Sequence, residues 1–409
     1  VRRQASVGAL LIVLLPLPGG SAIAQRELRD QSVENLPRPG YEPKRIRLGQ
    51  TVIAPEVLVG AQYDDNILAA ETNKVDDIIV SLSPSVAISH DDGKFRLNSS
   101  LFGTFRRYVD NKSENVNTYG ITGETRYAVS QENTLTANAG LLRTFQRRSD
   151  PESDINFTRR PSKIDISRAE LGYQYRPNRI GFGVKAGVDR VNYLAAADAD
   201  RDITSYRGSA RVSVRASSRI DAFVEGYAVR RDSRTPTDFS GVNRDTITRG
   251  ILAGTALDIA DRWKGEIGVG VFRSNPSDPA LRSFSGFAAN GSLTWRPRVR
   301  TAVTAEIFRG DVATIRAGAN GRVDTRASLR VDQEVRHNFL LGGALSLRDT
   351  SYRGVDRNLK QRSAELEATY LVNRHIAVIA STDYTKRTAS IPTDEFNRFS
   401  FQLATRFVY

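Results

Sequence analysis

From residue 54 to the C-terminus, apolar and polar residues alternate in short segments with a period of two. In residues 399–409, Phe399, Phe401, Leu403, Thr405, Phe407 and Tyr409 share one face, while Ser400, Gln402, Ala404, Arg406 and Val408 share the other. A period of two marks a strand, whose successive side chains point to opposite faces. Residues 323–336 repeat it: Val323, Thr325, Ala327, Leu329, Val331 and Val335 oppose Asp324, Arg326, Ser328, Arg330, Asp332, Glu334 and Arg336. Around residue 210, Tyr206, Ala210, Val212 and Val214 alternate with Arg207, Ser209, Arg211, Ser213 and Arg215. One face excludes charge and the other is rich in it. A charge facing hydrocarbon at mid-depth costs roughly 2 to 4 kcal/mol, so this segregation suits a wall with lipid on one side and water on the other.

The gaps between segments are of two kinds. Short ones fall at 90–93, 130–132, 177–178, 217–218, 260–261, 297–298, 337–338 and 373–374, and their starts recur every 36 to 47 residues. Longer ones, rich in Asp, Asn, Arg, Gly and Pro, lie between them, such as 148–161, 231–244, 274–279 and 311–321. Eight short and nine long gaps separate eighteen strands. The pattern predicts an all-β fold, a closed antiparallel up-and-down transmembrane β-barrel of about 18 strands with short periplasmic turns and long outer loops. The last strand alone would also fit, less well, the edge of a soluble sandwich, but a sandwich has no reason to shorten every second connection. Closure would pair the last strand with a first strand near Glu56 to Tyr63, leaving no open sheet edge in lipid. Tyr127, Tyr173, Tyr175, Trp263, Trp295, Tyr370, Phe407 and Tyr409 lie near short turns and would form a periplasmic girdle. Arg230 and Arg249 break the outward parity near long loops, where they would meet lipopolysaccharide phosphate or, if the strands fray, water.

Composition changes this picture little. The chain has 409 residues, no cysteine, three histidines, 26% charged residues and a mean hydropathy of −0.38. A barrel hides its apolar face in alternation, so a polar average is compatible with a membrane. Arg2 and Arg3 precede an apolar run at 7–17 and the small-residue site Ala22-Ile23-Ala24, the layout of a secretory signal peptide cleaved after Ala24. Residues 25–53, with Pro37, Pro39 and Pro43, read as a periplasmic leader, too short for the plug of a TonB-dependent transporter, and 54–409 as the barrel. The net charge of +13 falls to +11 without Arg2 and Arg3. No basic block with interleaved aromatics accompanies it, so nucleic acid is not the expected partner; anionic lipid and anionic solutes are.

Three stretches, Arg38-Pro39-Gly40-Tyr41-Glu42-Pro43, Ile46-Arg47-Leu48-Gly49 and Tyr63-Asp64-Asp65-Asn66-Ile67, resemble in this order the start of the β-barrel porin 2 family of outer-membrane proteins, common in alphaproteobacteria, and Ser83-Pro84-Ser85 fits the same pattern. The resemblance implies a bacterial outer-membrane location and, through some relatives, an association with exopolysaccharide production. The closing strand, with Phe399, Phe401, Leu403, Phe407 and Tyr409, resembles the C-terminal signal read by the barrel assembly machinery.

No GxSxG elbow, P-loop, HExxH or EF-hand spacing is present, and His90, His337 and His375 fall beside short turns on different hairpins, so an enzyme is not expected. Asp64-Asp65, Asp76-Asp77 and Asp91-Asp92 are either turn formers or calcium ligands, turn formers being the commoner case. No cofactor or metal is implied. The functional candidates are the inward charges: Arg207, Arg211, Arg215, Arg326, Arg330, Glu334, Arg348, Glu365, Glu367 and Asp383 are expected to line the pore. They either form a wall of salt bridges that holds the barrel round, or line a water-filled, porin-like passage favouring anionic solutes or polysaccharide. The family resemblance adds exopolysaccharide export as the task such a passage would serve. A non-conducting surface or scaffold protein, whose loops bind partners or polysaccharide, is the reading from another class.

Overall fold

The computed structural model describes residues 32–153, 159–259 and 262–409. The signal peptide and the start of the leader therefore lie outside the described residues, as does the 260–261 turn. A short strand, β1 (Ile46–Leu48), precedes the wall. The first half of the wall is β2 (Thr51–Asp64), β3 (Asp77–Asp91), β4 (Phe95–Tyr108), β5 (Val116–Ala128), β6 (Asn133–Phe145), β7 (Lys163–Tyr175), β8 (Ile180–Tyr193), β9 (Ile203–Ser217) and β10 (Ile220–Ser233). The second half is β11 (Thr246–Ile259), β12 (Trp263–Pro276), β13 (Phe284–Arg298), β14 (Thr301–Val312), β15 (Gly321–Arg336), β16 (Phe339–Arg353), β17 (Asn358–Leu371), β18 (Ile376–Ala389) and β19 (Phe396–Val408). Each wall strand pairs antiparallel with its chain neighbours, and β19 pairs with β2, so eighteen strands close into a barrel. The closing seam places Phe401 opposite Tyr63 and Val408 opposite Glu56, within the first strand expected from the sequence to close the barrel.

The wall begins three residues earlier than the alternation suggested, because β2 starts at Thr51. The segment before it is also more ordered than a linker. β1 folds back on β2, with Leu48 opposite Thr51. The two-residue turn between them puts Gly49 at a φ of +62°, a conformation that costs glycine little.

The lipid-facing side is apolar as the period required. Leu171 and Leu366 are 66% and 64% exposed, and Phe399, Phe401, Leu403, Phe407 and Tyr409 all point outward. At the short-turn end Trp263 stacks on Trp295, centroids 5.5 Å apart, within a belt that includes Tyr127, Tyr173 and Tyr370. The acidic pairs build turns and seams. Asp64 accepts from the Asn66 amide (3.0 Å), Asp65 from the Phe399 amide across the closing seam (2.7 Å), and Asp77 from the Asn111 amide (2.8 Å).

Candidate functional site

The inward faces of the strands carry a ring of ion pairs. Asp324 of β15 is completely buried and receives Arg326 and Arg348 at 2.7 Å each, with Arg322 at 3.1 Å. Asp189 of β8 lies between Arg168 and Arg207. Arg211 bonds Glu225 at 2.6 Å and both oxygens of Glu266 at 2.8 Å, its guanidinium 4.0 Å above the Phe223 ring. Arg215 reaches Asp221 at 3.9 Å, and Arg330 pairs with Asp332 on its own strand at 2.9 Å. Glu365 and Asp383 stand directly opposite each other on β17 and β18, with Arg398 3.6 Å from Asp383. Such charge-assisted pairs fix side chains as well as charge.

The two partners of these pairs are unequally presented. The Asp189 side chain is 6% exposed against 23% for Arg207, and Asp324 is at 0% against 15% for Arg326 and Arg348. At these two sites the carboxylate sits back against the wall beneath the guanidinium groups, whereas Asp332 (31% against 25% for Arg330) and Asp383 (23% against 22% for Arg398) are as open as their partners.

A central cavity of about 690 Å³ occupies the lumen. Of the ten expected pore-lining residues, Arg207, Arg326, Arg348, Glu365 and Asp383 border it. Arg211, Arg215, Arg330, Glu334 and Glu367 do not; they lie lower on their strands, toward the short turns. Basic and acidic residues border the cavity in equal number among the described residues, so their count gives no preference of sign.

A segment lies across part of the lumen at each end of the cavity. At the short-turn end, residues 33–41 lie inside the mouth. Val33, 3% exposed, packs with Leu36 and Tyr41 on Ala302, Leu340, Leu371 and Ala377. Arg38 reaches Glu334 at 3.1 Å, and Glu34 accepts from Arg406 at 3.0 Å. These contacts touch β14 to β19, a third of the wall. Glu334, completely buried beneath Arg38, Arg300 and His337, thus anchors this cover and faces no open passage.

At the other end, the loop between β6 and β7 crosses the lumen. Its Glu152 accepts from Arg322 (2.8 Å), Thr314 (2.9 Å) and Tyr352 (2.9 Å), and Arg316 donates to the carbonyls of Pro151 (3.1 Å) and Ser153 (2.9 Å). β15 and β16 stand nine strands from β6 and β7 in the ring of eighteen, so this strap spans the diameter. Burial opposes charge on Glu152, but Arg322, Arg316 and the hydrogen bonds from Tyr352 and Thr314 hold its carboxyl below the usual glutamate range. Burial together with Arg106 and Arg398 pushes the strap's Arg147 down to about 10.

The alternation gave no sign of Glu34, Arg38 or Glu152 as functional residues. Arg38 opens the stretch that carries the family resemblance, so a signal existed for it. Glu152 lies in a loop whose polar composition suits solvent as well as a lumen, and nothing in the period distinguishes the two.

Residues 38–409 match the family model described as "Putative beta-barrel porin 2". The chain belongs to this family. Membership of a porin family places the barrel in the bacterial outer membrane. None of the curated protein sequences compared matches. Among solved structures, Pseudomonas aeruginosa OpdQ is 12% identical with a TM-score of 0.44, covering 88% of this chain and 97% of its own. Pseudomonas aeruginosa OccK2 (OpdF) is 10% identical with a TM-score of 0.46, covering 87% and 98%. The FrpB iron transporter of Neisseria meningitidis (F3-3 variant) is 11% identical with a TM-score of 0.42; the match covers 82% of this chain and 62% of that one.

Proposed function

We propose that the barrel is a passive, water-filled outer-membrane channel that favours anionic solutes. The recessed carboxylates carry this reading. A solute in the cavity meets guanidinium groups at Arg207, Arg326 and Arg348, while Asp324 is shielded behind Arg326 and Arg348, and Asp189, which also borders the cavity, is only 6% exposed against 23% for Arg207. Selectivity in a wide aqueous pore follows the charge that the solute meets, more than the sum over the wall. Planar-bilayer recording of the purified protein under a salt gradient tests it: the expected result is current with an anion-selective reversal potential. Cation selectivity overturns the preference.

The covers at the two ends favour a second reading, a non-conducting barrel whose outer loops bind a partner. Absence of current from the full chain decides for it. For the cargo we assign anionic exopolysaccharide, on the strength of the family resemblance. Block of the current by acidic oligosaccharide, and not by a neutral one of equal size, is the expected outcome.

A further inference from the structure

The rule that keeps charge off the lipid-facing side fails at one level of the barrel. Arg249 on β11 and Arg273 on β12 are directly opposite each other, on the outward parity of Ile251 and Val271. Arg362 on β17 and Lys386 on β18 are likewise opposite, on the outward parity of Leu366 and Tyr384. All four are exposed, and among the described residues none has a carboxylate partner; Arg273 bonds only the Asn275 amide oxygen, at 3.2 Å. Fraying does not account for them, because all four sit within hydrogen-bonded ladders.

Their height is informative. Arg273 lies ten residues above Trp263 of the aromatic belt, and Lys386 ten above Ile376 at the start of its strand. At about 3.3 Å per residue and a tilt near 40°, ten residues climb roughly 25 Å, the height of the apolar band of such barrels. The four cations therefore stand at the outer edge of the band. Like charges directly opposite across a ladder destabilise it, so each pair is a local cost unless an anion lies between its members. A phosphate does this well, since a guanidinium binds it through two parallel hydrogen bonds.

We propose that Arg249 with Arg273, and Arg362 with Lys386, are two docking sites for the phosphate groups of the outer-leaflet glycolipid, lipopolysaccharide. The sites are six strands apart in the ring of eighteen, so each holds its own lipid. The inference uses the outer-membrane placement but not the channel reading, and either can fail alone.

The test is native mass spectrometry of the full-length, delipidated barrel with lipid A, with the same lipid A after phosphatase treatment, and with inorganic phosphate. Two molecules of phosphorylated lipid A should bind per barrel, while the dephosphorylated form binds more weakly by roughly tenfold or more, as expected for losing contact with two cations. Inorganic phosphate should leave the count unchanged. Arg249→Gln with Arg273→Gln should remove one lipid and spare the other, and lysine at both positions should retain it. Equal binding of the two lipid A forms by the unaltered protein overturns the proposal without reference to any variant, as does displacement by inorganic phosphate alone.

Discussion

The two covers of the lumen are built differently. At the short-turn mouth residues 33–41 dock through the apolar side chains of Val33, Leu36 and Tyr41 and are clipped by Arg38 and Glu34. The strap at the outer end is a loop anchored in β6 and β7 and bonded on the far wall through Glu152, almost wholly by polar contacts. Apolar docking responds little to pH, whereas the polar strap depends in part on the charge of Glu152, beside the bonds that Arg316 and Tyr352 make to the strap's carbonyls. The first cover is suited to displacement from the periplasm, the second to a fixed narrowing.

The largest effect should come from Val33→Asp. It removes the burial of a valine, about 1.5 to 3 kcal/mol, and sets a carboxylate among apolar side chains at further cost, so the segment should leave the mouth. Single-channel conductance should rise several-fold, while the heat-modifiable gel mobility of the folded barrel stays as it was. Unchanged conductance with proven release of the segment, read by hydrogen exchange at residues 36–41, would show that this cover does not restrict the passage.

Glu152→Gln should loosen the strap by roughly 2 to 3 kcal/mol, the scale of a hydrogen bond to a charged group; Arg322 retains Asp324, which limits the loss. Amide exchange at residues 149–153 should then speed by roughly thirtyfold or more. The same bond gives a pH dependence. Because the folded carboxyl titrates below its ordinary value of 4.5, its contribution is complete above that value and is lost as pH falls through the lowered one. Current noise should therefore grow on acidification in the unaltered protein and much less in Glu152→Gln. Equal pH dependence in both would place the titrating group elsewhere.

The wall was legible in the alternation because lipid imposes one rule on every strand: apolar outward, polar inward. Residues 399–409 and their pairing near Glu56 to Tyr63 followed from that rule, as did the strand count from alternating gap lengths. The covers were not legible, since they obey no periodicity. Val33 sits in a segment whose prolines suggest a linker, and its burial depends on Leu340 and Leu371, remote in sequence and close only after closure. Among the inward charges, parity placed Arg326 and Glu334 on the same side correctly. It could not say that one borders the cavity and the other is sealed beneath Arg38.

The smallest effect should separate the covers from the wall between them. Arg326→Gln together with Arg348→Gln removes two positive charges from the cavity and leaves Asp324 with Arg322. In an aqueous lumen two unit charges about 4 Å apart interact by only about 1 kcal/mol, so the reversal potential should move toward cations modestly and conductance should hardly change. Screening sharpens the test, because the Debye length shrinks from about 10 Å at 0.1 M salt to about 3 Å at 1 M. A selectivity set by these guanidinium groups should shift at 0.1 M and much less at 1 M. Val33→Asp should leave it in place, since that change opens a mouth without altering the wall. If Val33→Asp moves the reversal potential and the arginine variant does not, the selective element is the cover with its Arg38 and Glu34, and the wall only holds the barrel open.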